Sequence, residues 1–275
     1  HYARCLRVWR WSASTHFLAG RTARRAGLYQ EAEQHLEECA KLRGGAAGTS
    51  VPLALEQLLL RAQSGDVSEV EEALWGYIKK EKPETPLILE ALARGYLRMF
   101  RLGTALRCLR MLLEREPDNV EALVMRGWIR EGGGEAEEAS KDYRRALELN
   151  PERDDARLSL ARILLRDNPK EARSHFQQLS ARQPDNPDVL VGLAEAYGAL
   201  GEPEKARPIL ETLLAKDPGH SRALAALGTL TLAAGNTTEG EALLRRATAA
   251  DPGNVEAIYQ LYLCLVQQPG REREA

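Results

Sequence analysis

The sequence predicts an all-α, right-handed superhelical solenoid of antiparallel helix pairs, and three observations carry that prediction. Pro117, Pro151, Pro184, Pro218 and Pro252 recur at spacings of 34, 33, 34 and 34 residues, the period of a helix–turn–helix unit. Small residues recur where two helices must approach closely: Ala93, Gly127, Ala161, Ala194 and Gly228 in first helices, facing Ala105, Ala139, Ala172 and Ala206 in second helices. Large apolar residues accompany them at helical spacing, with Leu89, Leu92 and Tyr96 in one block and Leu190, Leu193 and Tyr197 in another. Leu109, Tyr143, Phe176 and Leu210 come from the second helices, and no segment shows the alternation of a strand.

Taken in order, residues 1–12 read as the second helix of a truncated preceding repeat. A first repeat with its linker occupies 13–50, carried by Ala19, Gly20, Gly27, Tyr29, Ala32 and Leu36, and a second occupies 51–85, carried by Leu58, Gly65, Val70 and Leu74. The stretch Gly44 to Ser50 is expected to be a flexible joint between them. Regular repeats follow at 86–119, 120–153, 154–186, 187–220 and 221–254, and 255–275 reads as a partial repeat or capping helix whose second helix has just begun. In that last segment Ile258, Leu261 and Leu265 are expected to pack backward, leaving Tyr259, Tyr262, Leu263 and Val266 wholly or partly exposed.

The turns have their own chemistry. Each proline lacks an amide hydrogen and its ring clashes with the preceding turn, so it stops the second helix. Asp118 with Glu121 has capping-box spacing, and Asn186 before Pro187 places a cap ahead of a proline in the first helical turn. Gly132-Gly133-Gly134, Gly201 and Gly235 permit the reversal between the helices of a repeat. The triple glycine is not a phosphate loop, since no strand precedes it and no Lys-Ser/Thr follows.

Composition narrows the function. The 275 residues are 44% hydrophobic and 28% charged with a net charge of -2, a globular rather than disordered or fibrous profile. With 38 basic against 40 acidic side chains, a broad phosphate-reading surface is excluded. Arg4, Arg7, Arg10, Arg21, Arg24 and Arg25 precede the first acid, Glu31, but no stacking aromatics of a known RNA module accompany them, so no nucleic acid is expected. The longest uncharged apolar stretch, Ala223 to Gly235, falls short of the roughly 18 residues of a membrane span. Cys5, Cys39, Cys108 and Cys264 lie far apart and suggest buried thiols rather than disulfides or a zinc site. Arginine outnumbers lysine 30 to 8, a bias that either a GC-rich genome or function produces, and a bacterial source is expected.

Catalytic signatures are absent: there is no HExxH, GxSxG, GxGxxG or Walker sequence, and the five histidines lack metal-ligand spacing. Neither an enzyme, nor a cofactor, nor a metal is expected. Glu135, Glu137 and Glu138 open a solvent-facing helix, where carboxylates suit the positive end of the dipole.

The repeats resemble the tetratricopeptide family, whose pattern is W-x2-L-G-x2-Y, A-x3-F, P. The matching residues are Leu92, Ala93 and Tyr96 with Ala105, Leu109 and Pro117; Gly127 with Ala139, Tyr143, Ala146 and Pro151; and Leu193, Ala194 and Tyr197 with Ala206, Leu210, Leu213 and Pro218. The resemblance covers nearly the whole chain, and it implies a concave groove that holds a peptide. Position 9 of successive repeats is Arg21, Leu59, Arg94, Trp128, Arg162, Glu195, Thr229 and Leu263; position 13 is Arg25, Gln63, Arg98, Gly132, Arg166, Ala199, Ala233 and Gln267. The candidate groove is therefore Arg21, Arg25, Arg94, Arg98, Trp128, Arg162 and Arg166, with an acidic segment as its expected ligand and Trp128 as apolar anchor. Arg94 with Arg98 and Arg162 with Arg166 are like-charge i,i+4 pairs that need neutralising by a ligand or by neighbouring glutamates. The lysine and asparagine clamp by which some relatives grip chaperone carboxylates is missing, since the equivalent region offers arginines without paired asparagines.

The resemblance thus implies a non-catalytic protein–protein interaction scaffold or adaptor binding a peptide or protein segment. The alternative is a substrate-recruiting or regulatory arm of a larger enzyme or assembly whose other domains lie outside this chain.

Overall fold

The structure is a computed structural model that describes residues 12–45 and 50–268. The expected helix over 1–12 and most of the glycine-rich joint lie outside the described residues. Among the described residues the secondary structure is fifteen helices and no strand. They are α1 (Ala13–Arg25), α2 (Tyr29–Leu42), α3 (Val51–Ser64), α4 (Val67–Ile78), α5 (Thr85–Arg98), α6 (Leu102–Arg115), α7 (Val120–Gly132), α8 (Ala136–Leu149), α9 (Asp154–Asp167), α10 (Pro169–Arg182), α11 (Pro187–Ala199), α12 (Pro203–Lys216), α13 (Ser221–Ala233), α14 (Thr237–Ala250) and α15 (Val255–Val266).

The periodic prolines act as expected: α6, α8, α10, α12 and α14 end at Arg115, Leu149, Arg182, Lys216 and Ala250, each just before its proline. Asn186 caps α11 by accepting a bond from the Asp188 amide at 3.1 Å. The cap of α7 differs from expectation. Asn119, not Asp118, takes the extended conformation and accepts from the Ala122 amide at 3.0 Å, because Pro117 and Asp118 are used up in the preceding turn. Gly134, Gly201 and Gly235 take φ of 80°, 72° and 88° in the first-to-second helix turns, where a side chain would be strained.

The chain forms two compact units that divide between Gly133 and Gly134. In the N-terminal unit, Ala23, Ala32, Leu36, Cys39, Leu53 and Leu60 make one apolar cluster joining α1, α2 and α3. In the C-terminal unit, Val191, Ala194, Ala206, Leu210, Leu224, Leu227, Leu244 and Ala257 lie in a cluster joining α11 through α15. The small residues read from the sequence are buried: Ala93, Ala105, Ala139, Ala161, Ala172, Ala194 and Ala206 are each 0% exposed. A methyl group at Gly228 would sit 3.0 Å from Leu244 and 3.3 Å from the Gly240 carbonyl, so the close approach of α13 and α14 requires the missing side chain.

Helix α15 departs from its expected packing. Leu265 is buried and Tyr259, Tyr262 and Val266 are exposed, as the pattern indicates, but Ile258 is 46% exposed rather than packed backward. The repeat-equivalent residue Leu224 is buried by neighbouring helices; no described helix follows α15 to cover Ile258 in the same way.

Candidate functional site

First helices of the C-terminal unit line a wide concavity. A cavity of about 700 Å³, within the usual size of a ligand site, is lined by α9, α11, α13 and the start of α15. Its floor is small and apolar, with Ala194, Gly198 and Ala199 from α11 and Ala225, Ala226, Thr229 and Ala233 from α13. The charged lining residues are Arg166, Glu195, Arg222 and Glu256.

The charges on this lining are unequally committed. Asp188, at the start of α11, holds Arg222 at 2.5 Å and Arg162 at 3.2 Å. Arg222 reaches Glu195 only at 3.8 Å. Glu256 accepts a bond from the Gln260 side chain at 2.8 Å. Glu195 accepts no hydrogen bond among the described residues, and burial raises its pKa against the opposing pull of Arg222. The Arg166 side chain is 94% exposed, and its only ion pair among the described residues is with the adjacent Asp167 at 4.0 Å.

The arginines expected in the groove divide between the two units. In the N-terminal unit Arg25 and Arg94 line one cavity of about 340 Å³ together with Arg24, Tyr29, Gln63 and Glu90. Arg94 is already neutralised, by Glu90 at 3.1 Å and Glu121 at 2.8 Å. Burial opposes its charge, but those two carboxylates outweigh burial and raise its pKa. Arg98 lies 4.7 Å over the Tyr29 ring, and Arg21 sits 3.5 Å from Glu56. Trp128 on α7 is 51% exposed. In the C-terminal unit Arg162 is held by Asp188, whereas Arg166 belongs to the large cavity. Of the two like-charge pairs, one member each is therefore neutralised by acids of the chain itself.

Reading for arginine overlooked the part of the surface where space opens. Glu195, Ala199, Thr229 and Ala233 occupy positions 9 and 13 of the C-terminal repeats, and all four line the large cavity. The usable signal was the small side-chain volume at Ala199, Thr229 and Ala233. Arg222, Ala225 and Ala226 lie off both positions and carried no such mark. Among the described residues no group of three or more His, Cys, Asp or Glu could hold a metal, and no helix is long and apolar enough to cross a membrane.

Known proteins place this architecture. Two family models, both described as tetratricopeptide repeat, match residues 166–230 and residues 90–139 with 125–187; together they span 90 to 230. No curated protein matches the chain. Among solved structures, YrrB, titled a TPR protein with an unusual peptide-binding site, is 20% identical with a TM-score of 0.57, covering 68% of this chain and 97% of its own. MamA is 22% identical with a TM-score of 0.54, covering 62% and 94%. A tetratricopeptide repeat protein from Parabacteroides merdae is 20% identical with a TM-score of 0.51, covering 92% and 98%. At such identities the likeness is one of fold. The paired helices, the proline period and the matches over the central repeats agree, and the chain belongs to the tetratricopeptide repeat family.

Proposed function

We propose that this chain is a non-catalytic interaction scaffold that holds an extended segment of a partner protein in the alanine-floored groove of its C-terminal unit. Proteins of this fold serve protein–protein interaction, and the observation that carries the reading to this place is the 700 Å³ cavity. A floor of alanines and Thr229 leaves room for side chains brought by a ligand, and apolar burial there supplies affinity. Arg166, whose nearest acid is the adjacent Asp167 at 4.0 Å, remains as the arginine of the candidate set beside that groove able to meet acidic groups of a partner. Such exposed charges act mainly on association rate and weaken with salt.

The test fills the groove. Ala199 is exposed and lines the cavity, so Ala199→Trp adds bulk without entering the core. Peptides enriched from a phage-displayed random dodecapeptide library on the whole chain should bind it in fluorescence polarisation and lose at least about tenfold in affinity to this variant, with the helical circular dichroism unchanged. Full retention of binding by Ala199→Trp would place the ligand elsewhere.

A further inference from the structure

We propose that Glu195 is the anchor for a lysine or arginine side chain carried by the segment that occupies the C-terminal groove. The inference rests on the reading of that groove as a peptide site and names what the site selects. Glu195 projects from the middle of α11 into a lining that is otherwise mostly alanine, glycine, leucine and threonine. It is partly buried, with 32% of its side chain exposed, and among the described residues its ion pair is with Arg222 at 3.8 Å. A carboxylate taken partly out of water without a hydrogen bond is costly. The raised pKa of Glu195 expresses the same cost.

The chain's own cations do not meet that need. Arg222 directs its short contact, 2.5 Å, to Asp188. Arg162 shares the same Asp188 oxygen at 3.2 Å, and Arg166 is almost fully in solvent. Asp188 thereby engages both guanidinium groups at shorter range than Glu195 does. The other carboxylate of the lining, Glu256, already accepts a bond from Gln260, which leaves Glu195 as the lining acid that accepts no hydrogen bond among the described residues.

An ionised carboxylate only accepts, so the ligand must donate, and a charged donor makes a bond roughly twice as strong as a neutral one. The floor favours the same residue types. Lysine and arginine carry three or four methylenes behind the charge, which can lie along apolar surface while the head reaches a polar partner; Ala199, Ala225, Ala226 and Ala233 provide that surface. A short neutral donor such as serine would reach Glu195 but leave the alanine floor uncovered.

The test uses peptides selected from the random dodecapeptide library on the whole chain. Enriched sequences should share a lysine or arginine, and replacing that residue by norleucine should weaken binding by about tenfold or more. Glu195→Gln should weaken the unmodified peptides to the same degree while leaving the norleucine versions unchanged. Lowering the pH from about 7.5 into the ordinary carboxylate range should weaken binding by protonating Glu195, whose carboxyl faces Arg162 and Arg166 from α9, Asp188 from its own helix, Arg222 from α13 and Glu256 from α15. That acid loss should vanish in Glu195→Gln and persist in Glu256→Gln. Selected peptides that lack a shared cation, or that bind Glu195→Gln as well as the parent chain, overturn the anchor. If Ala199→Trp still abolishes binding in that case, the groove stands and only its selectivity is wrong; if it does not, the groove itself is wrong. Failure to enrich any sequence overturns both.

Discussion

In the N-terminal unit the first helices α1 and α3 meet through buried charge, whereas α11 and α13 in the C-terminal unit meet through small apolar side chains. Arg24 is 2% exposed, and its Nε donates to Glu56 at 2.7 Å while one terminal nitrogen donates to Gln63 at 3.0 Å. Its other terminal nitrogen has no hydrogen-bond partner among the described residues. The repeat-equivalent positions in the C-terminal unit hold Gly198, Ala226 and Ala233, which line the groove. One repeat architecture thus tolerates two kinds of joint, but they fail differently: an ion cluster is strongly destabilised when half of it is removed, while an apolar joint is most sensitive to volume.

The largest expected effect breaks the charged joint. Glu56→Ala leaves Arg24 buried and uncompensated, and it should cost about 3–5 kcal/mol, read by urea titration and by hydrogen exchange across α1 to α4. The double variant Arg24→Met with Glu56→Leu should recover most of that loss, since apolar replacement of a buried pair is often neutral or stabilising. A small loss in the single variant would mean that the cluster is well hydrated.

Overpacking tests the apolar joint. Ala194 is 0% exposed where α11 must admit its neighbours, so Ala194→Leu should cost about 1–3 kcal/mol, with faster hydrogen exchange confined to the C-terminal unit.

Turn chemistry supplies the next contrast. Gly27, Gly65, Gly134, Gly201 and Gly235 take positive φ where first helices turn into second helices, but the α5–α6 turn uses Phe100 at φ 54°, with the ring 80% exposed. A bulky residue in this region is strained. Phe100→Gly relieves that strain but adds freedom to the unfolded chain, so the net gain should be about 1 kcal/mol or less, visible as a higher melting temperature.

Thiol chemistry gives the smallest effect on stability and a clear sign. Burial pushes the Cys108 thiol up to about 12 from an ordinary 9.0. In the folded chain it should stay protonated and resist iodoacetamide at about pH 8.5, while the urea-unfolded chain reacts. Because its pKa is higher folded than unfolded, Cys108 contributes full stability below the ordinary thiol value and loses that contribution as pH rises toward 12. Mass spectrometry of the alkylated peptides reads the protection.

Much of the fold was legible because its causes are local or periodic. Pro117, Pro151, Pro184, Pro218 and Pro252 remove backbone donors at fixed intervals, and Ala194 or Gly228 can be small for no reason visible within a single helix. Choices between chemically equivalent neighbours were less legible. Asp118 and Asn119 can both cap α7, and the backbone path after Pro117 decides for Asn119. The site was read least well because charge in a sequence is conspicuous while pairing is not. Arg94 and Arg162 stand at groove positions, yet Glu121 and Asp188 from the following first helices neutralise them. Space is equally hidden: Ala199 and Ala233 look like filler until neighbouring first helices turn their missing volume into a cavity.

Hydrogen–deuterium exchange of the whole chain with a library-selected peptide tests the assignment of the binding surface most directly. Binding to the C-terminal groove should slow exchange in α11 and α13 and at the adjoining ends of α9 and α15, with α1, α3 and α5 unchanged. Protection centred on the segments that carry Arg25, Arg94 and Arg98, with α11 and α13 unchanged, would contradict it and move recognition to the arginines of the N-terminal unit.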